Sequence, residues 1–148
     1  MLAGELAPAS RRLPGCEIRR VSNGDDWERF REIGSACFNV PRHWFDEVFD
    51  QRMSERTGFQ PWLAVSQGVA VATAAIVPAE EAIGIYNVGT LAHARKRGYA
   101  EELMRAVVKS ELESRPGVPV VLQSTVAGLE LYRRLGFRVV TRFRVWIS

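Results

Sequence analysis

The chain has 148 residues, of which 47% are hydrophobic and 25% charged, with a net charge of +3 and two cysteines. These are the proportions of a soluble globular protein, and the length suits one domain with a real core. No apolar run approaches the roughly 18 residues that a membrane span needs, so no membrane partner is expected. 

Cys16 and Cys37 lie in a chain whose first residues do not read as a secretory leader. They are expected to be free thiols in a reducing cytoplasm. His43 and His93 are far apart in sequence, which leaves no ligand cluster for zinc, and no metal is expected. Residues 1–16, rich in Ala, Gly, Pro and Arg, read as a flexible N-terminal tail, and 17–148 as a single domain.

Residues 17–21 have strand composition. Asp25 stands three residues before Glu28, the spacing of a capping box, and Trp27, Phe30, Ile33, Cys37 and Phe38 follow at helical intervals. A second helix is expected from Pro41, with Trp44, Phe45, Val48, Phe49 and Met53 as its stripe and Gly58 beyond its end. The period then changes. Residues 62–66 and 69–77 flank the turn-like Gln67-Gly68 and predict a hairpin, and 82–91 predicts a third strand. 

After a basic turn, Ala100, Leu103, Met104, Val107, Val108 and Leu112 mark the buried stripe of a helix that Pro116-Gly117 ends. Residues 118–123 predict a strand. A last helix over 126–135 carries Gly128, Leu131, Tyr132 and Leu135 on one face and stops at Gly136, and 137–147 is a final extended segment. The order is strand, two helices, three strands, helix, strand, helix, strand. Its 82–123 unit is a parallel crossover, so the expected fold is α/β, a mixed sheet of about six strands with helices on both faces.

Two runs carry chemistry. Arg95-Lys96-Arg97-Gly98-Tyr99-Ala100 places a basic turn and one glycine at the start of a helix, where unpaired N–H groups and the helix dipole attract anions. One glycine does not make the dinucleotide pattern, and the Gly-Lys-Ser/Thr ending of a Walker loop is missing. Leu131-Tyr132-Arg133-Arg134-Leu135-Gly136-Phe137 puts a phenol near a sharp helix stop. Periodicity alone makes Tyr132 a core residue, since it shares the stripe of Leu131 and Leu135. Ser124 and Thr125 either cap the last helix or reach a ligand.

Arg95-x-x-Gly98-x-Ala100, followed by Tyr132 in its leucine–glycine context, resembles the Q/R-x-x-G-x-G/A signature and last-helix tyrosine of the GNAT superfamily of N-acetyltransferases. The likeness spans residues 17–147 and is specific over 82–137. It implies a GNAT-like sheet and acetyl-CoA as cosubstrate. The pantetheine would pair with the strand at Val88, Thr90 and Leu91, and the pyrophosphate would lie on Arg95, Lys96, Arg97, Gly98, Tyr99 and Ala100, with Ser124 within reach. It further implies an oxyanion donor among the N–H groups around Thr90 or Leu91, and Tyr132 as the acid that protonates or hydrogen-bonds the departing thiolate. 

Many relatives use a strand glutamate as base, yet residues 83–90 hold no carboxylate. Glu81, His43 and a water on Asn87 are alternatives, and no base is assigned. Phe38, Trp44, Phe45 and Phe49 make the first helices aromatic, as walls of an acceptor pocket or as plain core. Many relatives continue into a further strand, which leaves room for a homodimer. The implied activity is acetyl transfer to a primary amine of a small molecule or peptide, by direct attack in a ternary complex. A CoA-binding regulatory module with little turnover is the alternative. A small basic nucleic-acid binder ranks last, because the basic turn lacks interleaved aromatics, so no nucleic acid is expected as partner.

Overall fold

Gln67 and Gly68 both take positive φ, 50° and 77°, as the tightest hairpin turn requires. Around them β3 (Gln60–Ser66) and β4 (Val69–Pro78) pair antiparallel. The structure, a computed structural model, describes residues 1–3, 5–9 and 12–146. 

Its mixed sheet has the order β1-β6-β5-β4-β3-β2, where β1 is Leu2–Ala3, β2 Cys16–Arg20, β5 Ile83–Thr90 and β6 Val120–Leu122. Only β5 and β6 run parallel, as the crossover requires. Five of these strands are those expected from sequence. β1 is a two-residue strand added at the edge.

The alternation of side chains divides the core in two. Trp62, Ala64, Ala72, Ala74, Ile76, Ile83 and Ile85 face α4 (Tyr99–Ser114) and α5 (Leu129–Arg134). Leu63, Val65, Ala70 and Ala75 face α1 (Gly24–Phe38), with α2 (Arg42–Val48) and α3 (Gln51–Thr57) packed beyond it. Alanines dominate β4 because each of its faces lies under a helix, and small side chains let both helices approach. Among the described residues no helix is long and apolar enough to cross a membrane.

Several expectations are corrected. Asn23, not Asp25, caps α1: its side chain accepts from the Asp26 N–H at 2.9 Å. Asp26 is then drawn onto Arg19, at 2.9 Å. The single helix expected after Pro41 is two, because the Asp50 carboxylate accepts from the Met53 N–H and starts a new helix. That break leaves Trp44 and Val48 of its supposed buried stripe exposed.

The ends of the chain depart further from expectation. Within residues 1–16, taken as a flexible tail, β1 pairs antiparallel with β6, Leu2 opposite Val121 and Ala3 opposite Val120. Met1 and Leu6 pack against the larger core cluster, and the Ala7 N–H donates to the Leu135 carbonyl at 3.0 Å. Among the described residues, 138–146 form no strand of the sheet: beyond one bridge at Arg138 they take no regular secondary structure and are exposed. Ile147, the last residue of the expected strand, lies outside the described residues. The sheet edge beside β6 is held by β1 instead, whose backbone supplies the ladder partners.

Candidate functional site

β5 and β6 pair over three rungs, Ile83 with Val120, Gly84 with Val121 and Ile85 with Leu122, and then part. From Tyr86 onward β5 has β4 on one side and an open edge on the other. The divergence coincides with a bulge, because Thr73 pairs with Gly89 while Ala75 pairs with Tyr86. Asn87 sits in this bulge with φ 51°, and the fully buried Thr73 hydroxyl donates to its carbonyl at 2.9 Å. Nothing in the sequence pattern announced this brace.

The Leu91 N–H donates to the Val71 carbonyl at 3.0 Å. Strand alternation therefore turns the main-chain groups of Gly89 and Leu91 toward β4 and those of Val88 and Thr90 toward the open edge. Leu91, expected among the cofactor contacts, has its N–H engaged, and its side chain lines a groove of about 360 Å³ between α1 and the β3–β4 turn, on the other face of the sheet. That groove meets the candidate site only at Leu91. Val88 packs on the core facing α4 and α5, the same cluster that contains Tyr132 and is flanked by Tyr99.

A short 3-10 turn, Ala92–Ala94, leads into the basic turn. Arg95 folds back, its Nε donating to the Thr90 carbonyl at 3.0 Å. Its guanidinium also faces the Cys37 thiol, whose pKa burial raises and Arg95 partly restrains. Arg95 thus braces the end of β5. Lys96, at φ 61°, and Arg97 project into solvent. 

Gly98, at φ 94°, is the N-cap of α4 and makes no side-chain cap bond, so the first N–H groups of a sixteen-residue helix are left without one. The positive φ is costly for any residue with a Cβ. Tyr99 donates its hydroxyl to Ser66 Oγ at 3.0 Å, tying the helix start to the β3–β4 hairpin, and offers the site its backbone. Ala100 follows it in the first turn. The Glu101 carboxylate lies 2.9 Å from Arg105 and 3.5 Å from Arg134, which offsets its charge beside an anion site. Leu13 shares a small crevice with Gly98, Glu101 and Glu102.

Tyr132 lies where α5 stops. The Phe137 N–H donates to the Tyr132 carbonyl at 2.9 Å and the Gly136 N–H to the Arg133 carbonyl at 3.0 Å, with Gly136 at φ 99°. This is a Schellman stop, and its usual apolar contact is here the Tyr132 ring edge-on to Phe137, with centroids 5.9 Å apart. The other ring edge lies against Gly128, where an added Cβ would stand 3.1 Å away. The phenol is 7% exposed, and burial pushes its pKa up to about 12. Its hydroxyl has no hydrogen-bond partner among the described residues. Gly128 is the N-cap of α5, which has no side-chain cap bond; Thr125 Oγ1 accepts from the Gly128 N–H in the turn before the helix, while Ser124 Oγ donates to the Thr125 carbonyl on the Tyr132 side of Gly128.

The opposite face of β5 carries Gly84, Tyr86 and Gly89. The Tyr86 ring folds over Gly84, Cys37 and Phe38 of α1 cover Gly89, and Phe38, Trp44 and Tyr86 remain exposed. Phe45 is buried against Gly34 and Phe49 packs against Phe59, so these two are core. Glu80, Glu81 and His43 are exposed.

A family described as "Acetyltransferase (GNAT) domain" matches residues 57–139, more than half of the chain and all of the strand, turn and helix segments above except the N-terminal ones. No curated protein matches significantly. Among solved structures, the fold is similar to Escherichia coli ElaA, with TM-score 0.75, 17% identity and coverage of 90% of this chain and 94% of that one. It is similar to an acetyltransferase of Trypanosoma brucei, at 0.72, 19%, 90% and 99%. A predicted acetyltransferase of Clostridium acetobutylicum, solved with acetyl-CoA, matches at 0.68, 17%, 89% and 96%. The parted strands, the uncapped helix start and the matched segment converge on one statement: this chain belongs to the GNAT acetyltransferase family.

Proposed function

We propose that the protein transfers the acetyl group of acetyl-CoA to a primary amine of a small molecule or peptide, by direct attack within a ternary complex. The observation that carries this reading is the parting of β5 from β6 beside the uncapped start of α4. An extended amide chain can pair with Val88 and Thr90 along the open edge while its diphosphate takes the first N–H groups of α4. Lys96 and Arg97 add charge that salt would screen. The acetyl-CoA in the Clostridium acetobutylicum structure belongs to that protein, and supports the same cosubstrate here.

In the reaction the amine nitrogen bonds to the acetyl carbon, the C–S bond breaks, and its electron pair leaves on sulfur. The carbonyl oxygen gathers negative charge, for which the Val88 and Thr90 N–H groups are the candidates. Tyr132 supports the sulfur. A phenol held near 12 is a weaker acid than a thiol of ordinary pKa, about 8.5, so it stabilises the thiolate by donating a hydrogen bond rather than by surrendering its proton. The amine proton goes to water, since Glu80, Glu81 and His43 stand in solvent. 

The lack of a strand carboxylate is also what favours the second reading, a CoA-binding module with little turnover. Calorimetry with acetyl-CoA, followed by thiol release across an amine panel, separates the two. Binding in the micromolar range is expected, weakened in Gly98→Val. No binding rejects both readings, and binding without thiol release selects the module.

A further inference from the structure

The groove between α1 and the β3–β4 turn has no part in the proposed reaction. One wall is a single face of α1, on which Arg29, Glu32, Ile33 and Ala36 recur at helical spacing. The other wall is the start of β4, where Val69 is 57% exposed, and Leu91 completes the lining. Ile33 and Ala70 are buried beneath it, so the surface is apolar apart from two side chains of opposite charge. Its volume of about 360 Å³ stands at the lower end of small-molecule pockets.

Opposite charges at i,i+3 are neighbours on a helix, yet Arg29 and Glu32 do not pair with each other. Arg29 lies 3.9 Å from Asp26, whose carboxylate is already held by Arg19 at 2.9 Å. Glu32 has no ion pair among the described residues. The groove thus offers a guanidinium, a carboxylate and an apolar bed side by side. We propose that it is an effector site for a free α-amino acid with an apolar side chain, separate from the acetyl-transfer cleft. The ligand's carboxylate meets Arg29, its ammonium meets Glu32, and its side chain lies against Ile33, Ala36 and Val69. 

A plain carboxylic acid would set its charge against Glu32, and a plain amine would set its own against Arg29. A ligand of both signs answers both. The groove also lies outside the cleft. On this face of β5 the residue next to Leu91 is Gly89, which Cys37 and Phe38 cover, while Val88 lies on the opposite face. The bound amine is therefore held away from the thioester, as an effector and not as the acceptor. Its link to the cleft is Leu91, whose N–H is bonded to the Val71 carbonyl and whose neighbour Thr90 holds Arg95 through its own carbonyl. Binding in the groove is independent of acetyl transfer, whereas the effector role rests on that reading.

Calorimetry on the full chain without acetyl-CoA tests the site, so failure here is distinct from failure of the cosubstrate reading. L-leucine and L-phenylalanine should bind with a Kd of about 1 mM or tighter. Leucine methyl ester, which lacks the carboxylate, and 4-methylpentanoate, which lacks the ammonium, should each bind at least about tenfold more weakly. Arg29→Gln and Glu32→Gln should each weaken leucine by a similar factor. Ala36→Phe, which fills the groove from an exposed position, should abolish binding, and circular dichroism should be unchanged in all three. Saturating leucine should shift the Kd for acetyl-CoA by at least about fivefold in the unaltered chain and not in Ala36→Phe. No binding up to about 10 mM, equal binding of the ester or the acid, or leucine affinity unchanged in the three variants overturns the site. Leucine that binds without moving the acetyl-CoA affinity, or that is recovered N-acetylated, overturns the effector role.

Discussion

The two ends of the chain meet at one place, the stop of α5, and leave it in opposite conditions. On one side the Ala7 N–H takes the Leu135 carbonyl, Arg105 donates to the carbonyls of Ala7 and Pro8, and Leu2–Ala3 extends the sheet. On the other side the backbone of 139–146 runs through solvent. The docked end is held both through its main chain and by Met1 and Leu6 against the core. The other end carries bulky side chains, Val139, Val140, Phe143, Val145 and Trp146, all exposed. Orphan carbonyls at a helix stop and a sheet edge are thus filled by the segment that brings donors and fits the available gap. Gly136 sets that gap, since a Cβ there would lie 3.0 Å from the Glu5 carbonyl oxygen and 3.1 Å from the Ala7 nitrogen.

Gly136→Val should break this arrangement most severely, because it strains a φ of 99° and collides with the docked backbone. A loss of about 3 kcal/mol in urea unfolding is expected, with early proteolysis of the first residues. A loss below about 1 kcal/mol would mean that the glycine is not the seat of that end. Removing residues 1–3 uncovers β6 and should cost about 2 kcal/mol. Hydrogen exchange of 139–146 should then stay as it was; new protection would mean that the two ends compete for one edge. 

Arg105→Ala cuts the two carbonyl bonds and should cost about 1 kcal/mol, readable as a small shift in the urea midpoint. The smallest effect at neutral pH belongs to the Tyr132 phenol. Its folded pKa, about 12, lies above the ordinary value, so its contribution is complete below pH 10 and is lost as the pH climbs toward 12. Tyr132→Phe should flatten the fall in stability over that window and remove the last phenolate to appear in an absorbance titration.

Much of the frame was legible because it follows from local chemistry. Gln67-Gly68, the stripe from Leu103 to Val108 and the Gly136 stop each have one low-energy structure, and each is found. Tyr132 and the turn at Gly98 stand where their spacing put them relative to helix ends. What was illegible depends on contacts between distant residues. The bond from Thr73 to Asn87, the engagement of the Leu91 N–H and the docking of the first residues have no periodic signature. The last segment failed for the opposite reason: its alternation is real, but alternation specifies a strand and not the neighbour it needs.

The Schellman stop has a consequence for altering the protein. Within six consecutive residues it fixes the height of the phenol, the end of its helix and the ring that backs it. The surroundings of the phenol are therefore wired locally, whereas Phe38, Trp44 and Tyr86 stand largely in solvent and support little of the fold. Under the proposed acetyl transfer, substitutions at those three positions should alter the far face of β5 while the stop of α5 keeps its shape.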